Sequence, residues 1–171
     1  MTGSLSPEKV IKLLGLKPLA PEGGYFRETY RSKEFIPAAA LPARYRGKRA
    51  HGTAIYYLLT TDTVSAIHRL QSDEVFHFYA GDPVEMLLLK PKSKGHAIML
   101  GADLVKGQRP QAVVPRGTWQ GARLATGGKW ALLGTTVAPG FEYRDFELGQ
   151  RTKLSRSYPR WNKMITALTG E

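Results

Sequence analysis

The residues best suited to chemistry in this chain lie in one stretch, Ala66 to Gly81, which carries His68, Glu74 and His77. An imidazole and a carboxylate that face one cavity either bind a divalent metal or work as an acid/base pair. Strand alternation tests whether they meet. Over 63–70, Val64, Ala66, His68 and Leu70 share one face, and Ser65, Ile67 and Arg69 take the other. Over 74–80, Glu74, Phe76 and Phe78 share a face opposite Val75, His77 and Tyr79. Apolar neighbours place His68 and Glu74 inside a barrel, with Phe76 and Phe78 as aromatic contacts for a ligand. Simple alternation points His77 outward, and only a twist or bulge brings it in as a third metal donor or ligand contact. Taken singly, His68 equally fits a hydrogen-bonded core histidine, and Glu74 a buried carboxylate paired with an arginine.

Two further groups extend this set. In Val113-Val114-Pro115-Arg116-Gly117-Thr118-Trp119-Gln120, a turn precedes Gln120. Its amide is a weak metal ligand but a good hydrogen-bond partner for a hydroxyl or carbonyl. Near the N-terminus, Phe26, Glu28 and Tyr30 share a strand face, opposite Tyr25, Arg27, Thr29 and Arg31. Glu28 and Tyr30 add a carboxylate and a phenol to a pocket rim, and Arg27 offers a site for an anion. The competing role is a first strand that makes cross-strand pairs or a dimer contact. Asp82-Pro83 reads as a turn, and Trp119, Phe141 and Phe146 as core. Glu142, Asp145 and Glu147 read as a solvated hairpin edge. Gly127-Gly128-Lys129 lacks the upstream glycine of a phosphate loop.

The elements that must position these residues are mostly short strands, expected near 53–60, 63–70, 74–80, 84–90, 96–100, 111–115, 118–124, 130–138 and 142–147. Turn residues separate them, among them Gly81-Asp82-Pro83, Lys94-Gly95, Arg116-Gly117 and Pro139-Gly140. This spacing predicts an all-β sandwich or barrel. Tyr25–Arg31 predicts a further strand. A short helix opens the chain, with Ser6 as N-cap, Pro7 in the first turn and Gly15 as stop. Another follows Pro159, where Trp161, Met164, Ile165 and Leu168 recur at helical spacing. Residues 35–48, rich in Pro, Ala and Arg, are expected to be the most mobile internal segment. No repeat divides the 171 residues, so 1–171 is expected to be one domain, burying roughly 70% of its unfolded surface.

Composition narrows the classes. The chain has no cysteine, which excludes disulfides, thiolate nucleophiles and Cys-ligated zinc. No apolar run approaches the roughly 20 residues of a membrane span, and the first residues lack the apolar segment of a secretory signal. A cytoplasmic location is the expectation. The net charge is +11, with basic groups at Arg44, Arg46, Lys48 and Arg49, at Lys90, Lys92 and Lys94, and at Arg151, Lys153, Arg156, Arg160 and Lys163. Such an excess attracts phosphate backbones, yet no nucleic-acid recognition motif accompanies it.

His68, Glu74 after five residues and Gly81 after six more resemble the first motif of the cupin barrels. That motif reads His-x-His, three or four residues, Glu, six residues, Gly, so Leu70 stands at its second His. Pro115-x-Gly117 with Gln120 resembles the second motif, with Gln120 in place of a His ligand. Pro21-Glu22-Gly23-Gly24-Tyr25-Phe26-Arg27-Glu28-Thr29-Tyr30-Arg31-Ser32 resembles the opening block of cupin family five. Thr53–Thr60, Asp73–Asp82, Val113–Arg123, Val137–Phe141 and Asp145–Gly149 are similar to its later blocks.

The resemblance implies a double-stranded β-helix (a jelly roll), a pocket inside the barrel and a homodimer. It also implies that Leu70 and Gln120 are family traits. The family has no settled reaction; it is distantly similar to dTDP-sugar epimerases, which use a His base and a Tyr acid without metal. His68 matches the barrel-lining His, and Tyr30, Tyr57 and Tyr143 are candidate acids by their place on strands. High basicity, the 37–49 loop and Thr135, where a cysteine often stands, depart from the family pattern. The favoured function is binding or isomerising a small polar ligand, sugar-like or nucleotide-sugar-like, without a dedicated metal. Here His68 and Glu74 would be catalytic. The alternatives are a metal-dependent enzyme using His68, Glu74 and His77, and a basic module that binds a polyanion.

Overall fold

The structure, a computed structural model, describes residues 5–91 and 94–170. Helix α1 (Pro7–Leu14) begins where the Ser6 hydroxyl accepts the Lys9 N–H, and ends at Gly15, whose φ of 61° suits a residue without Cβ. There follow β1 (Lys17–Pro18), β2 (Tyr25–Arg31), β3 (Phe35–Ile36), a 3-10 turn at Ala38–Ala40, β4 (Arg49–Ala50), β5 (Thr53–Thr60) and β6 (Ser65–Leu70). The chain continues through β7 (Asp73–Gly81), β8 (Val84–Lys90), β9 (Lys94–Leu100), β10 (Gln111–Val114), β11 (Trp119–Leu124) and β12 (Trp130–Ala138). A 3-10 turn at Tyr143–Asp145, β13 (Phe146–Leu148), α2 (Arg151–Ser157), a 3-10 turn at Pro159–Trp161 and α3 (Asn162–Ala167) close it.

The strands form two antiparallel sheets of the jelly-roll type. One has the order β1-β2-β5-β12-β7-β10 and the other β13-β6-β11-β8-β9; β3 and β4 make a separate pair. Alternation divides each central strand between two apolar clusters. In β8, Met86 and Leu88 point into the barrel with Tyr57, Leu59, Phe76 and Leu133. Leu87 and Leu89 point out, with Ile67, against Leu154, Tyr158, Met164, Ile165 and Leu168 of the C-terminal helices. Each fully buried Leu or Ile contributes about 1.5–3 kcal/mol. On the other sheet Leu58 points outward beneath Val10 of α1 and Leu16.

Differences from the expected elements have local causes. The region expected as a strand over 142–147 is a 3-10 turn and a three-residue strand, because Asp145 turns inward to Arg49. Helix α2 was not expected; Leu154 is its one buried residue, and the Gln150 side chain makes no capping bond. Residues 35–48 are tied to the barrel through Tyr45, whose hydroxyl lies 2.9 Å from Ser72 Oγ. Gly95 lies inside β9 rather than in a turn, and Lys92 of the expected basic group falls outside the described residues.

Candidate functional site

A cavity of about 160 Å³ lies inside the barrel between the two sheets. Its acidic and basic lining residues are Glu22, Glu28, Arg31, His68, Glu74 and Glu142, and its apolar lining includes Phe26, Ile55, Leu70, Phe141 and Phe146. Carboxylates therefore outnumber fixed cations four to one, on a protein of net charge +11.

At its base three side chains from three strands converge. Gln120 on β11 stands directly opposite His68 on β6. Its amide nitrogen donates to Glu74 Oε2 at 2.5 Å and lies 3.3 Å from His68 Nε2. All three residues are buried. His68 Nδ1 lies 2.8 Å from the Ala66 carbonyl, which only an N–H can satisfy, so in the neutral imidazole Nε2 carries the lone pair and faces the amide. Phe146 stacks on the imidazole at 5.0 Å between ring centres. Burial raises the Glu74 carboxyl above its ordinary range.

Glu22, which sequence reasoning left out of the site, sits beside His68. Its Oε2 is 4.0 Å from His68 Nε2, and its Oε1 accepts the Ser65 hydroxyl at 2.8 Å. Ser65 faces inward because Ala66 and Ile67 together oppose Gly121, a bulge between the pairs Gln120↔His68 and Ala122↔Ser65. The loop carrying Glu22 is pinned by Ala66 N–H to the Glu22 carbonyl at 2.8 Å and by the Tyr57 hydroxyl to the Gly23 carbonyl at 3.0 Å. Burial, reinforced by the Glu22 charge, pushes the Tyr57 phenol well above its usual range. The only sequence signal for Glu22 was its place in the Pro-Glu-Gly-Gly block.

A second bulge sets the rim. Glu28 pairs with Ile55 and Tyr30 with Ala54, so Thr29 is an extra residue in β2. Simple alternation puts Tyr30 inside; the bulge turns it out, where it is exposed, and brings Arg31 to the cavity instead. Arg31 holds Glu28 through two bonds (3.1 and 2.8 Å), Glu142 at 3.1 Å and the Phe141 carbonyl at 3.2 Å.

The structure thus brings His68, Glu74, Gln120 and Glu28 together and leaves five other candidates outside. His77 faces outward as alternation requires, 3.1 Å from Thr136 Oγ1 and stacked on Tyr79. Phe76 and Phe78 pack in the barrel core away from the cavity lining. Arg27 lies on the outer face over the Tyr56 ring, and Tyr30 is turned out by the bulge. Gln120 stands behind His68 and Glu74 rather than in the lining. Conversely, Phe141 and Phe146, expected as core, line the cavity, and so does Glu142. Asp145, expected on a solvated edge, is buried against Arg49.

These residues do not fit a divalent metal. Catalytic zinc takes three protein ligands, and among the described residues no group of three His, Cys, Asp or Glu is arranged to hold a metal ion. Leu70 offers no donor, His77 faces away, and Gln120 points its amide nitrogen at His68 and Glu74. Among the described residues, no helix is long and apolar enough to cross a membrane.

Known proteins share this architecture. A solved protein of Shewanella oneidensis is 33% identical with a TM-score of 0.86, covering 98% of this chain and 99% of its own. A hypothetical protein from Leishmania major is 31% identical with a TM-score of 0.87, covering 98% and 100%. Oxalate decarboxylase from Bacillus subtilis shares the fold at 13% identity and a TM-score of 0.54, over 99% of this chain and 41% of that one. The uncharacterized protein YML079W of Saccharomyces cerevisiae is 28% identical over 132 residues, which are 72% of this chain and 66% of that relative's length. The family model described as cupin superfamily (DUF985) matches residues 8–149, and the chain belongs to that family.

Proposed function

We propose that the barrel binds and isomerises a small, neutral, hydroxyl-rich ligand of monosaccharide size, with His68 as the base and no dedicated metal. The observation that carries this reading is the 2.8 Å contact of His68 Nδ1 with the Ala66 carbonyl. The Ala66 carbonyl holds Nδ1–H, so the basic Nε2 is directed to the side where Glu22 and the cavity lie. A cavity of about 160 Å³ is below the roughly 300–1,000 Å³ of drug-sized sites. Four carboxylates against one guanidinium favour hydroxyl donors over phosphate within it.

The chemistry needs no oxidant or reductant. His68 Nε2 takes the proton from a C–H beside a carbonyl, and the electron pair moves onto the carbonyl oxygen. The enolate oxygen takes the proton of the neighbouring hydroxyl, and His68, after exchanging its proton with solvent, protonates the former carbonyl carbon, leaving a carbonyl where the hydroxyl stood. For Nε2 to take the C–H proton, its bond from Gln120, the longer of the two the amide makes, must open.

The test is a ligand-observed NMR survey of neutral monosaccharides in D2O with untagged protein. The expected result is deuterium uptake at a ligand C–H that is lost in His68→Ala and falls on acidification, since imidazolium cannot accept a proton. Equal uptake in wild type and His68→Ala overturns the reading.

A further inference from the structure

We infer that the Gln120 side-chain amide is a built-in replacement for a cation, its N–H groups occupying the two lone pairs that a metal in this barrel would share. One nitrogen lies 2.5 Å from Glu74 Oε2 and 3.3 Å from His68 Nε2, so a single atom bridges both acceptors. A cation and an –NH2 group ask the same of these neighbours, namely a lone pair from each. They differ in reach, since zinc binds at about 2.0–2.2 Å and an N–H donor at about 2.9 Å.

The amide orientation is set by its surroundings. His68 Nδ1–H is committed to the Ala66 carbonyl, so a neutral His68 presents only a lone pair at Nε2. An ionised Glu74 likewise presents only lone pairs. The amide nitrogen satisfies both at once. The cost falls on the other end: Gln120 Oε1 is buried without a hydrogen-bond partner. Turning the amide over would leave two N–H groups unpaired in place of one carbonyl and set the oxygen against both lone pairs. The observed arrangement leaves the fewest groups unpaired.

A second consequence concerns His68. The Gln120 amide nitrogen faces both His68 Nε2 and the Glu74 carboxylate, while Nδ1 stays on the Ala66 carbonyl. Gln120 is thus a positioning residue that holds the imidazole as an acceptor beside a carboxylate. This holds whether or not His68 acts as a base, so absence of monosaccharide turnover would leave it standing.

The test uses untagged protein and Co2+, whose ligand-field absorption reports protein donors directly. Wild type is expected to show no Co2+ absorption that depends on His68. Leu70→His with Gln120→His supplies two further imidazoles where a cation would sit, and is expected to take up one equivalent of Co2+, lost when His68→Ala is added. Gln120→His alone, with three donors, is measured the same way, so misfolding of the double variant does not end the test. In the wild type, 15N NMR is expected to show slowly exchanging Gln120 side-chain amide hydrogens that shift in His68→Ala. His68-dependent Co2+ uptake by wild type overturns the inference. So does a folded Gln120→His variant, alone or with Leu70→His, that takes up none, or a fast-exchanging wild-type amide indifferent to His68.

Discussion

Arg49 and Asp145 meet inside the protein as a two-point ion pair, Nε and Nη2 each 2.6 Å from one carboxylate oxygen. The guanidinium is fully buried. Its Nη1 donates to the carbonyls of Gly47 and Lys48 at 2.9 Å and of Arg46 at 3.3 Å. The pair fastens the 37–49 loop to the turn whose neighbours Glu142 and Phe146 line the cavity.

Removing one partner strands the other as a buried charge. Asp145→Ala is expected to cost about 3–5 kcal/mol in urea unfolding. Arg49→Met combined with Asp145→Leu is expected to cost less than the two single changes together, since neither then leaves an unpaired ion. A single Asp145→Ala change within about 0.5 kcal/mol of wild type would show that the pair holds nothing.

Glu74 carries a pH dependence of definite sign. Its carboxyl is raised in the folded state by burial, so between the ordinary carboxylate range and its raised value the native protein binds more protons than the unfolded chain. Its contribution is fully present at acid pH and is lost as pH rises through the raised value. Glu74→Gln removes that penalty. The variant is expected to gain on wild type in thermal stability progressively as pH rises above the ordinary carboxylate range. A stability difference independent of pH would contradict this assignment.

Gly23 has a φ of 103°, and a Cβ there would stand 2.3 Å from the Val64 carbonyl oxygen. Both backbone and contact oppose any side chain. Gly23→Ala is expected to lose ~2 kcal/mol or more and to displace Glu22 beside His68. Chemical-shift changes at the His68 imidazole in 15N spectra would check the second effect, and a variant matching wild type in both would refute it.

Strands β2, β5, β8 and β12 and helix α1 were legible because their alternation, caps and turn residues all agree with the fold. The meeting of His68, Glu74 and Gln120 was legible from spacing and the resemblance to known motifs. The bulges in β6 and β2 were not, since an extra unpaired residue leaves no mark in composition or hydropathy. Each reversed the parity used to assign faces, which is why Tyr30 was expected inside and Ser65 outside. Glu22 was missed because a loop has no parity to read. Asp145 was read as solvated because its partner, Arg49, lies 96 positions away. Phe141 and Phe146 show that an aromatic residue inside a barrel is core or lining according to where the packing stops.

The extra residue in β2 separates two properties of the rim that ordinarily travel together. Deleting Thr29 would leave Glu28 opposite Ile55, Tyr30 opposite Ala54 and Arg31 opposite Thr53, so the same side chains would face in while the strand lost its kink. The curvature of the mouth is therefore a matter of chain length, and its charge a matter of residue identity. Related chains are free to reshape the opening by indels at this one point while keeping what it binds, or to exchange Glu28 and Arg31 for other side chains while keeping its shape.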